Sequence, residues 1–144
     1  MYKFRGKRID NKAWVYGAYY QHEKVTLCPL GVTEEDIKDN ELHLIINGGF
    51  SDWNLPAGLN CYEVIPETVG QFTRLNDKNG KEIWQGDIGW DDHQECYGVV
   101  KFDEGKFIYQ WENICEDLWE AKHDIEIIST IHDNPELLES EINE

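Results

Sequence analysis

Apolar and polar positions alternate in two stretches of the chain, and each stretch predicts a β-hairpin. KFRGKRI and AWVYGAYY near the N-terminus are rich in aromatic and β-branched residues, and Asp10-Asn11 between them supplies a turn. Further along, the segments 97–102 and 106–111 flank the turn sequence Asp103-Glu104-Gly105. Both patterns indicate antiparallel strand pairs.

Shorter patterns predict the remaining elements. Thr33 followed by acidic residues indicates a short helix over about 34–39, because Thr caps helices and acids favour the first turn. Ile125 and Ile127 should share one face of a last strand, and Pro135 should begin a terminal helix. Further strands are expected at 24–30, 42–46 and 61–65, a loop at 47–60, and one helical turn within 117–122.

The segment LNDKNGKEIWQGDIGW combines turn residues with strand residues. Asn79-Gly80 favours a tight turn with positive φ at Gly80, because glycine has no Cβ to clash there. Gly86-Asp87 interrupts the pattern again, and Ile88 and Trp90 then alternate with small or polar residues along a strand. We therefore predict a corner between strands rather than a catalytic or phosphate-binding loop.

The density of short strands after this corner is typical of a small SH3-like barrel, which closes its own edges. The predicted fold class is mainly β, with an N-terminal β-hairpin region, this barrel and a short C-terminal helix. The predicted division is a β-rich region with one short helix at 1–75, the SH3-like barrel at 76–134, and an acidic helix or tail at 135–144.

Composition supports a packed fold and adds a strong charge asymmetry. The 144 residues are 40% apolar and 12% aromatic, which is enough for a core. The net charge is −16: residues 1–90 carry 10 basic and 13 acidic side chains, and residues 91–144 carry 3 and 16. Because nucleic-acid affinity depends mainly on Lys and Arg, the acidic half argues against a nucleic-acid partner. A basic cluster consists of Lys3, Arg5, Lys7, Arg8 and Lys12. It could pair with an acidic partner or with the acidic half of another copy.

The N-terminal sequence and the cysteines predict a cytoplasmic protein. MYKFRGKRID is followed by no apolar run, so neither a signal peptide nor a membrane span is expected. Cys28, Cys61, Cys96 and Cys115 lie too far apart for a C-x-x-C pair. We expect free thiols that act as small buried or half-buried apolar side chains.

Two long stretches resemble the YopX family of phage and prophage proteins. PETVGQFTRLNDKNGKEIWQGDI at 66–88 is similar to the family's "TVGQ(Y/F)TGL.DKNG..I(Y/F).GDIV" stretch, and IHDNPELLE at 131–139 is similar to its "I..NPELL" segment. KFRGKRIDNKAW also resembles the start of family members. The resemblance implies a phage-encoded, cytoplasmic protein with an SH3-like C-terminal barrel, and it implies no catalytic residue.

The sequence departs from the family's pattern at two positions. Arg74 stands where Gly is usual, so position 74 is not expected to need positive φ here. Gly89 stands where Val is usual, which should weaken the strand after Gly-Asp-Ile. Among the matching residues, Gly80 and Gly86 are expected to serve backbone geometry, and Asp87 a turn or cap hydrogen bond.

Asp91-Asp92-His93-Gln94-Glu95-Cys96 contains every common type of metal ligand. Alternate positions such as 91, 93 and 95 would share one face of a strand. The segment joins two strands, however, so an exposed acidic loop is the favoured prediction and a metal site the alternative. His123-Asp124 and His132-Asp133 point apart on a strand and form no relay alone. We recognise no motif for a Ser nucleophile or a phosphate loop, so we predict neither catalytic residues nor cofactors.

Aromatic side chains are concentrated in the predicted barrel. Small barrels use aromatic faces to bind peptides or single-stranded nucleic acid. So small a module also needs most of its aromatics for the core or a subunit interface, which is the favoured interpretation. The residues assigned to a ligand or partner face are Trp84, Trp90, Tyr97, Phe107 and Trp111.

These observations favour a non-enzymatic phage or prophage accessory protein, a self-associating binding or assembly module. The expected partner is a second copy, with a host protein as the other kind of partner. One alternative is an acidic decoy of a host nucleic-acid-binding protein. Others are a single-stranded nucleic-acid binder that uses the barrel aromatics, and a metal-dependent hydrolase that uses the 91–96 segment.

Overall fold

The computed structural model describes residues 3–23, 31, 33–34, 40–48 and 58–138. The described residues form eleven strands, so the mainly-β fold class is confirmed. The chain divides into two compact units, Met1–Val69 and Gly70–Glu144, and the predicted three-part division stays a prediction. The strand predicted at 24–30 lies outside the described residues, as do most of the helix predicted at 34–39 and most of the loop at 47–60.

The first unit contains an antiparallel sheet. Its strands are β1 (Phe4–Lys7), β2 (Trp14–Glu23), β3 (Glu41–Asn47) and β4 (Asn60–Glu63). Within this unit their order is β4-β3-β2-β1. Phe4 lies opposite Gly17, so the predicted N-terminal hairpin is confirmed. A 3-10 helix at Pro66–Thr68 follows the last strand.

Buried residues join the first strand of this unit to the segment after β4. Ile45 and Val64 are buried. Gly6 lies so close to Val64 that a Cβ on Gly6 would be 3.1 Å from the Cβ of Val64. Thr68 Oγ1 accepts a hydrogen bond from Lys7 N at 2.9 Å. The 3-10 helix is thereby tied to β1.

The second unit contains the whole segment that was predicted to form a barrel, 76–134. Its strands are β5 (Gly70–Asn76), β6 (Glu82–Trp84), β7 (Asp87–Asp91), β8 (Cys96–Asp103), β9 (Lys106–Trp111), β10 (Ile114–Asp117) and β11 (Ile125–Thr130). β5 and β6 pair with each other. The other five form an antiparallel sheet in the order β10-β9-β8-β7-β11. Within the described residues this sheet is open, with β10 and β11 at its edges, so it is barrel-like without being closed.

One face of the five-stranded sheet carries the core of this unit. The sheet contributes Val100, Tyr109, Ile125 and Ile127 to a single buried cluster. Ile83 of β6 and the helix α1 (Leu118–Ala121) pack onto that cluster. Asp117 caps α1 by accepting a hydrogen bond from Trp119 N at 3.0 Å. The predicted helical turn and the predicted shared face of Ile125 and Ile127 are both confirmed.

The ring of Tyr109 lies across two glycines on neighbouring strands. Gly89 and Gly98 are directly opposite each other in β7 and β8. A Cβ on Gly98 would lie 2.4 Å from Cζ of Tyr109, and a Cβ on Gly89 would lie 3.0 Å from its ring. Whether Gly89 weakens its strand stays a prediction. β7 continues through Gly89, and the missing side chain makes room for the aromatic ring.

The predicted corner is confirmed, and a buried carboxylate holds it. Asp77 Oδ1 accepts hydrogen bonds from Asn79 N and Lys81 N, and Oδ2 accepts one from Ile127 N at 2.8 Å. Gly80 has a φ of 85°. Arg74 has a φ of 66°, so the expectation that position 74 does not need positive φ is wrong. Arg74 adopts the left-handed conformation that the usual Gly would adopt more easily.

The second predicted hairpin and the terminal elements are also found. Glu104 and Gly105 both have positive φ, the geometry of a type I′ turn between β8 and β9. Ile128 is 40% exposed because it follows the buried Ile127 and projects from the opposite face of β11. Residues 136–138 are helical, and the remainder of the predicted terminal helix lies outside the described residues.

Candidate functional site

The five aromatic residues assigned to a binding face do not share one face. Trp84 is 6% exposed and its ring contacts Phe72, so it belongs to the interior. Phe107 and Trp111 are half-buried and pack against the core cluster. Trp90 and Tyr97 lie opposite each other on β7 and β8, with ring centroids 4.7 Å apart.

Tyr97 and Trp111 line a groove of about 480 Å³ in the second unit. We call this surface the outer groove. Val99, Lys101 and Gln110 line it between them, and Leu138 of the C-terminal segment contributes a further part of the lining. The turn between β9 and β10, with Glu112 and Asn113, completes it.

Strand alternation explains which side chains meet in the outer groove. Tyr97, Val99 and Lys101 alternate along β8 and therefore project from the same face. Gln110 lies directly opposite Val99 on β9. Its Oε1 accepts a hydrogen bond from Lys101 Nζ at 2.8 Å. The groove is therefore apolar at Tyr97 and Val99, with hydrogen-bonding groups beside them.

Sequence reasoning missed six of the groove residues: Val99, Lys101, Gln110, Glu112, Asn113 and Leu138. The period-two pattern of the second hairpin contains Val99 and Lys101, and it could have placed them with Tyr97. Leu138 was beyond such reasoning, because its position depends on a long-range contact.

The 91–96 segment is a turn in which the potential metal ligands serve other purposes. Residues 92–95 are exposed and form the turn between β7 and β8, so positions 91, 93 and 95 do not alternate along a strand. Asp91 Oδ1 accepts hydrogen bonds from His93 N and Gln94 N. Asp92 accepts hydrogen bonds from Trp90 Nε1 at 2.7 Å and from Lys78 Nζ at 2.8 Å. Lys78 lowers the pKa of Asp92, and Asp92 raises the pKa of Lys78.

Acidic groups crowd together elsewhere in the second unit. Burial raises the pKa of Glu116, and the nearby carboxylates of Glu120, Asp124 and Asp91 raise it further. Within the described part of the chain, no group of three His, Cys, Asp or Glu side chains is arranged to hold a metal ion. The crowding therefore reflects the charge of the unit, since like charges disfavour ionisation.

The basic cluster is part of the first unit's sheet rather than a free arm. The guanidinium of Arg5 lies 4.5 Å from the ring centroid of Trp14, and Arg5 is only 6% exposed. Arg8 forms an ion pair with Asp10 at 2.5 Å and also lies over the ring of Tyr62. These contacts leave the two arginines engaged within their own unit.

A hydrogen-bonded chain of three polar side chains links β2 and β3 in the first unit. Tyr19 Oη and His43 Nδ1 share a hydrogen bond, and His43 Nε2 lies 3.2 Å from Glu41 Oε2. Burial raises the pKa of Tyr19, with a smaller contribution from Glu41. The chain satisfies three half-buried polar groups on neighbouring strands.

The remaining candidates lie apart from the outer groove. His123 and Asp124 are exposed in the turn before β11. Asp133 accepts a hydrogen bond from Thr130 Oγ1 at 3.1 Å and thereby helps to close the turn after β11. Cys61 and Cys115 are free and exposed, which corrects the expectation of burial, whereas Cys96 is free and buried. No helix among the described residues is long and apolar enough to cross a membrane.

Fold and site together define a mainly-β protein whose second unit presents a groove on an open antiparallel sheet. The family model described as "YopX protein" matches residues 3–139, and the chain belongs to this family of phage-type proteins. The chain is also similar to protein EF1440 from Enterococcus faecalis, whose crystal structure has a TM-score of 0.50 and 20% sequence identity. That likeness covers 96% of this chain and 98% of EF1440, and it concerns the fold alone. No curated protein matches the chain.

Proposed function

We propose that the protein is a non-enzymatic phage accessory protein, a binding and assembly module that holds a polypeptide partner in the outer groove. The single observation that carries this proposal is the groove itself, formed by the side chains of β8 and β9 together with Leu138. Recognition sites of this kind combine apolar walls with a few oriented polar groups.

The chemistry of the lining supports a polypeptide partner. Tyr97 and Trp111 are the residue types that most often dominate the binding energy of protein interfaces. Gln110 offers amide hydrogen-bonding groups beside them, as an extended peptide backbone requires. Self-association remains part of the proposal, with the partner being a second copy or a host protein.

A second candidate is an acidic decoy of a host nucleic-acid-binding protein, and the charge of the second unit favours it. Residues 70–144 carry 6 basic and 19 acidic side chains. Such a surface attracts the basic groups that bind phosphate. The same charge opposes the third candidate, a single-stranded nucleic-acid binder.

Affinity capture from a host lysate tests the polypeptide-binding proposal. The baits are the wild type, Gln110→Trp, which fills the groove, and Gln94→Trp, which makes the same change in the exposed 92–95 turn. We expect the wild type and Gln94→Trp to retain a protein that Gln110→Trp loses. Identical capture by all three folded baits would refute the groove as the binding surface.

A further inference from the structure

The outer groove has a defined length and two chemically different ends. Lys101 lies level with Ile108 on β9, and Glu112 lies four residues beyond Ile108 in the turn. At about 3.3 Å per residue, the Cα positions of Lys101 and Glu112 are roughly 13 Å apart along the strand. The groove therefore spans about four residues of an extended peptide.

Electrostatics distinguish the two ends. Glu112 is exposed at one end, in a unit that carries 6 basic and 19 acidic side chains. Lys101 places a single ammonium group at the other end, where it already binds Gln110. A positively charged residue of a partner is attracted by the unit as a whole and meets a carboxylate at the Glu112 end. At the Lys101 end it would meet a like charge.

From this complementarity we infer that the outer groove binds a short cationic polypeptide segment with apolar anchor residues, oriented with its positive residue at Glu112. The inference rests on the proposed function, because it names the partner chemistry of the same groove. The apolar anchors would lie against Tyr97 and Val99, where burial of apolar surface supplies affinity. The charge would fix orientation and increase the rate of association.

In the basic cluster of a second copy the two arginines are already engaged, and the exposed lysines are Lys3 and Lys12. Arg5 is buried against Trp14, and Arg8 is paired with Asp10. Both would have to abandon those contacts to enter a groove. We therefore assign the cationic segment to a different protein. If the basic cluster of another copy entered the groove instead, the protein would form an oligomer.

Two glutamates at opposite ends of β9 provide a matched test. Glu112 and Glu104 are both exposed, have φ values of 51° and 50°, and lie in hairpin turns. Glu112 lines the groove, whereas Glu104 lies outside its lining. Glu112→Lys and Glu104→Lys change the net charge equally, so any difference between them reports the local contact rather than the field of the unit.

The probes are labelled hexapeptides in which leucine alternates with lysine, with serine or with glutamate, and binding is followed by fluorescence anisotropy at low salt. We expect the lysine peptide to bind best, and Gln110→Trp to abolish that binding. Glu112→Lys should weaken it about tenfold more than Glu104→Lys. Matching circular dichroism spectra and urea midpoints establish that each variant is folded.

Each other outcome overturns the inference in a recognisable way. Equal weakening by Glu112→Lys and Glu104→Lys would show attraction by the overall field without an oriented site. Equal or better binding of the serine or glutamate peptide, still blocked by Gln110→Trp, would refute the cationic partner and leave the groove as a binding surface. The inference is also overturned if Gln110→Trp leaves peptide binding unchanged, or if none of the peptides binds. In either case the capture experiment still tests the proposed function on its own.

Discussion

Replacing Asp77 tests whether one buried carboxylate holds the corner between β5 and β6 against the sheet. Its two oxygens accept hydrogen bonds from three backbone N–H groups, those of Asn79, Lys81 and Ile127. Asn has the same shape as Asp but replaces one acceptor oxygen with an NH₂ donor. Whichever way the amide turns, it faces at least one of these N–H groups with a second donor.

The magnitude follows from the burial of Asp77, which is 6% exposed. Hydrogen bonds to charged acceptors contribute about 1.5–3 kcal/mol, and an unsatisfied buried donor costs about 1–3 kcal/mol. Asp77→Asn loses the charge and at least one acceptor, so we expect a loss of about 2–4 kcal/mol in the free energy of unfolding. Asp77→Ala removes all three acceptor contacts and should cost at least as much.

Urea unfolding and hydrogen exchange together measure this effect. The control is Asp103→Asn, which makes the same chemical change at an exposed position at the end of β8 and should stay within about 0.5 kcal/mol of the wild type. Exchange of the Ile127 amide hydrogen should accelerate in Asp77→Asn and not in the control. Wild-type stability together with unchanged exchange at Ile127 would refute the role assigned to this carboxylate.

The remaining predictions concern two glycines, one carboxyl group and the oligomeric state. Gly98→Ala should lower the free energy of unfolding by at least about 2 kcal/mol, because its Cβ would lie 2.4 Å from Cζ of Tyr109; a wild-type urea midpoint would contradict that packing. Gly80→Val should cost about 1 kcal/mol or more through backbone strain alone, since φ is +85° and no other atom lies within 4 Å of the added Cβ; an unchanged midpoint would show that the turn tolerates side chains. Burial, and next the charge of Glu120, raise the pKa of Glu116 above its ordinary value of 4.5. Protonated Glu116 contributes its full stability below pH 4.5, and this contribution is lost as the pH rises through the raised pKa. The free energy of unfolding of Glu116→Gln should therefore increase relative to that of the wild type from about pH 4 to about pH 7. A difference that stays constant with pH would contradict the raised pKa. Light scattering from low salt to about 1 M should show a homo-oligomer, and salt should weaken its association if charge pairing contributes. A monomer at every salt concentration would refute self-association. An oligomer that is insensitive to salt would rule out charge pairing as its cause.

Local patterns predicted those elements whose geometry is decided by neighbours in the sequence. The hairpin around Glu104-Gly105 and the positive φ of Gly80 follow from a few adjacent residues, and both are found. Arg74 shows the limit of such reasoning. Its φ of 66° is imposed at a point where the pairing of β5 with β6 is irregular, and no side-chain preference signals that constraint.

The packing role of Gly89 was not predictable for a related reason. A glycine within a strand usually weakens it, and the sequence alone offers no sign that Tyr109, twenty residues later, fills the space above it. The strand register decides whether the ring of Tyr109 fits, because only the pairing of Gly89 with Gly98 creates a flat site wide enough for it. Sequence reasoning could name both residues but not bring them together.

The aromatic set illustrates why the candidate site was only partly predictable. Composition identifies the aromatics, but sorting them between two faces of a sheet requires the register of every strand. With the register known, Tyr97 projects beside Val99 and Lys101, whereas Phe107 lies with the core. The groove also needs Leu138, whose contribution arises after the last strand.

One backbone hydrogen bond joins the two sequence stretches that resemble the YopX family. Gly86 N donates to Val100 O, and Gly86 O accepts from Ile131 N at 2.9 Å. This glycine therefore links β8 to the beginning of the segment that carries Leu138. The family stretches thus build the corner, and they contribute Ile83 to the core and Leu138 to the groove lining. Gln110 and Glu112, which we expect to contact the partner, lie between the two stretches in sequence. A scaffold built in this way can keep its fold while the residues that select a partner change, because substitutions at 110 and 112 alter neither Gly86 nor the carboxylate of Asp77.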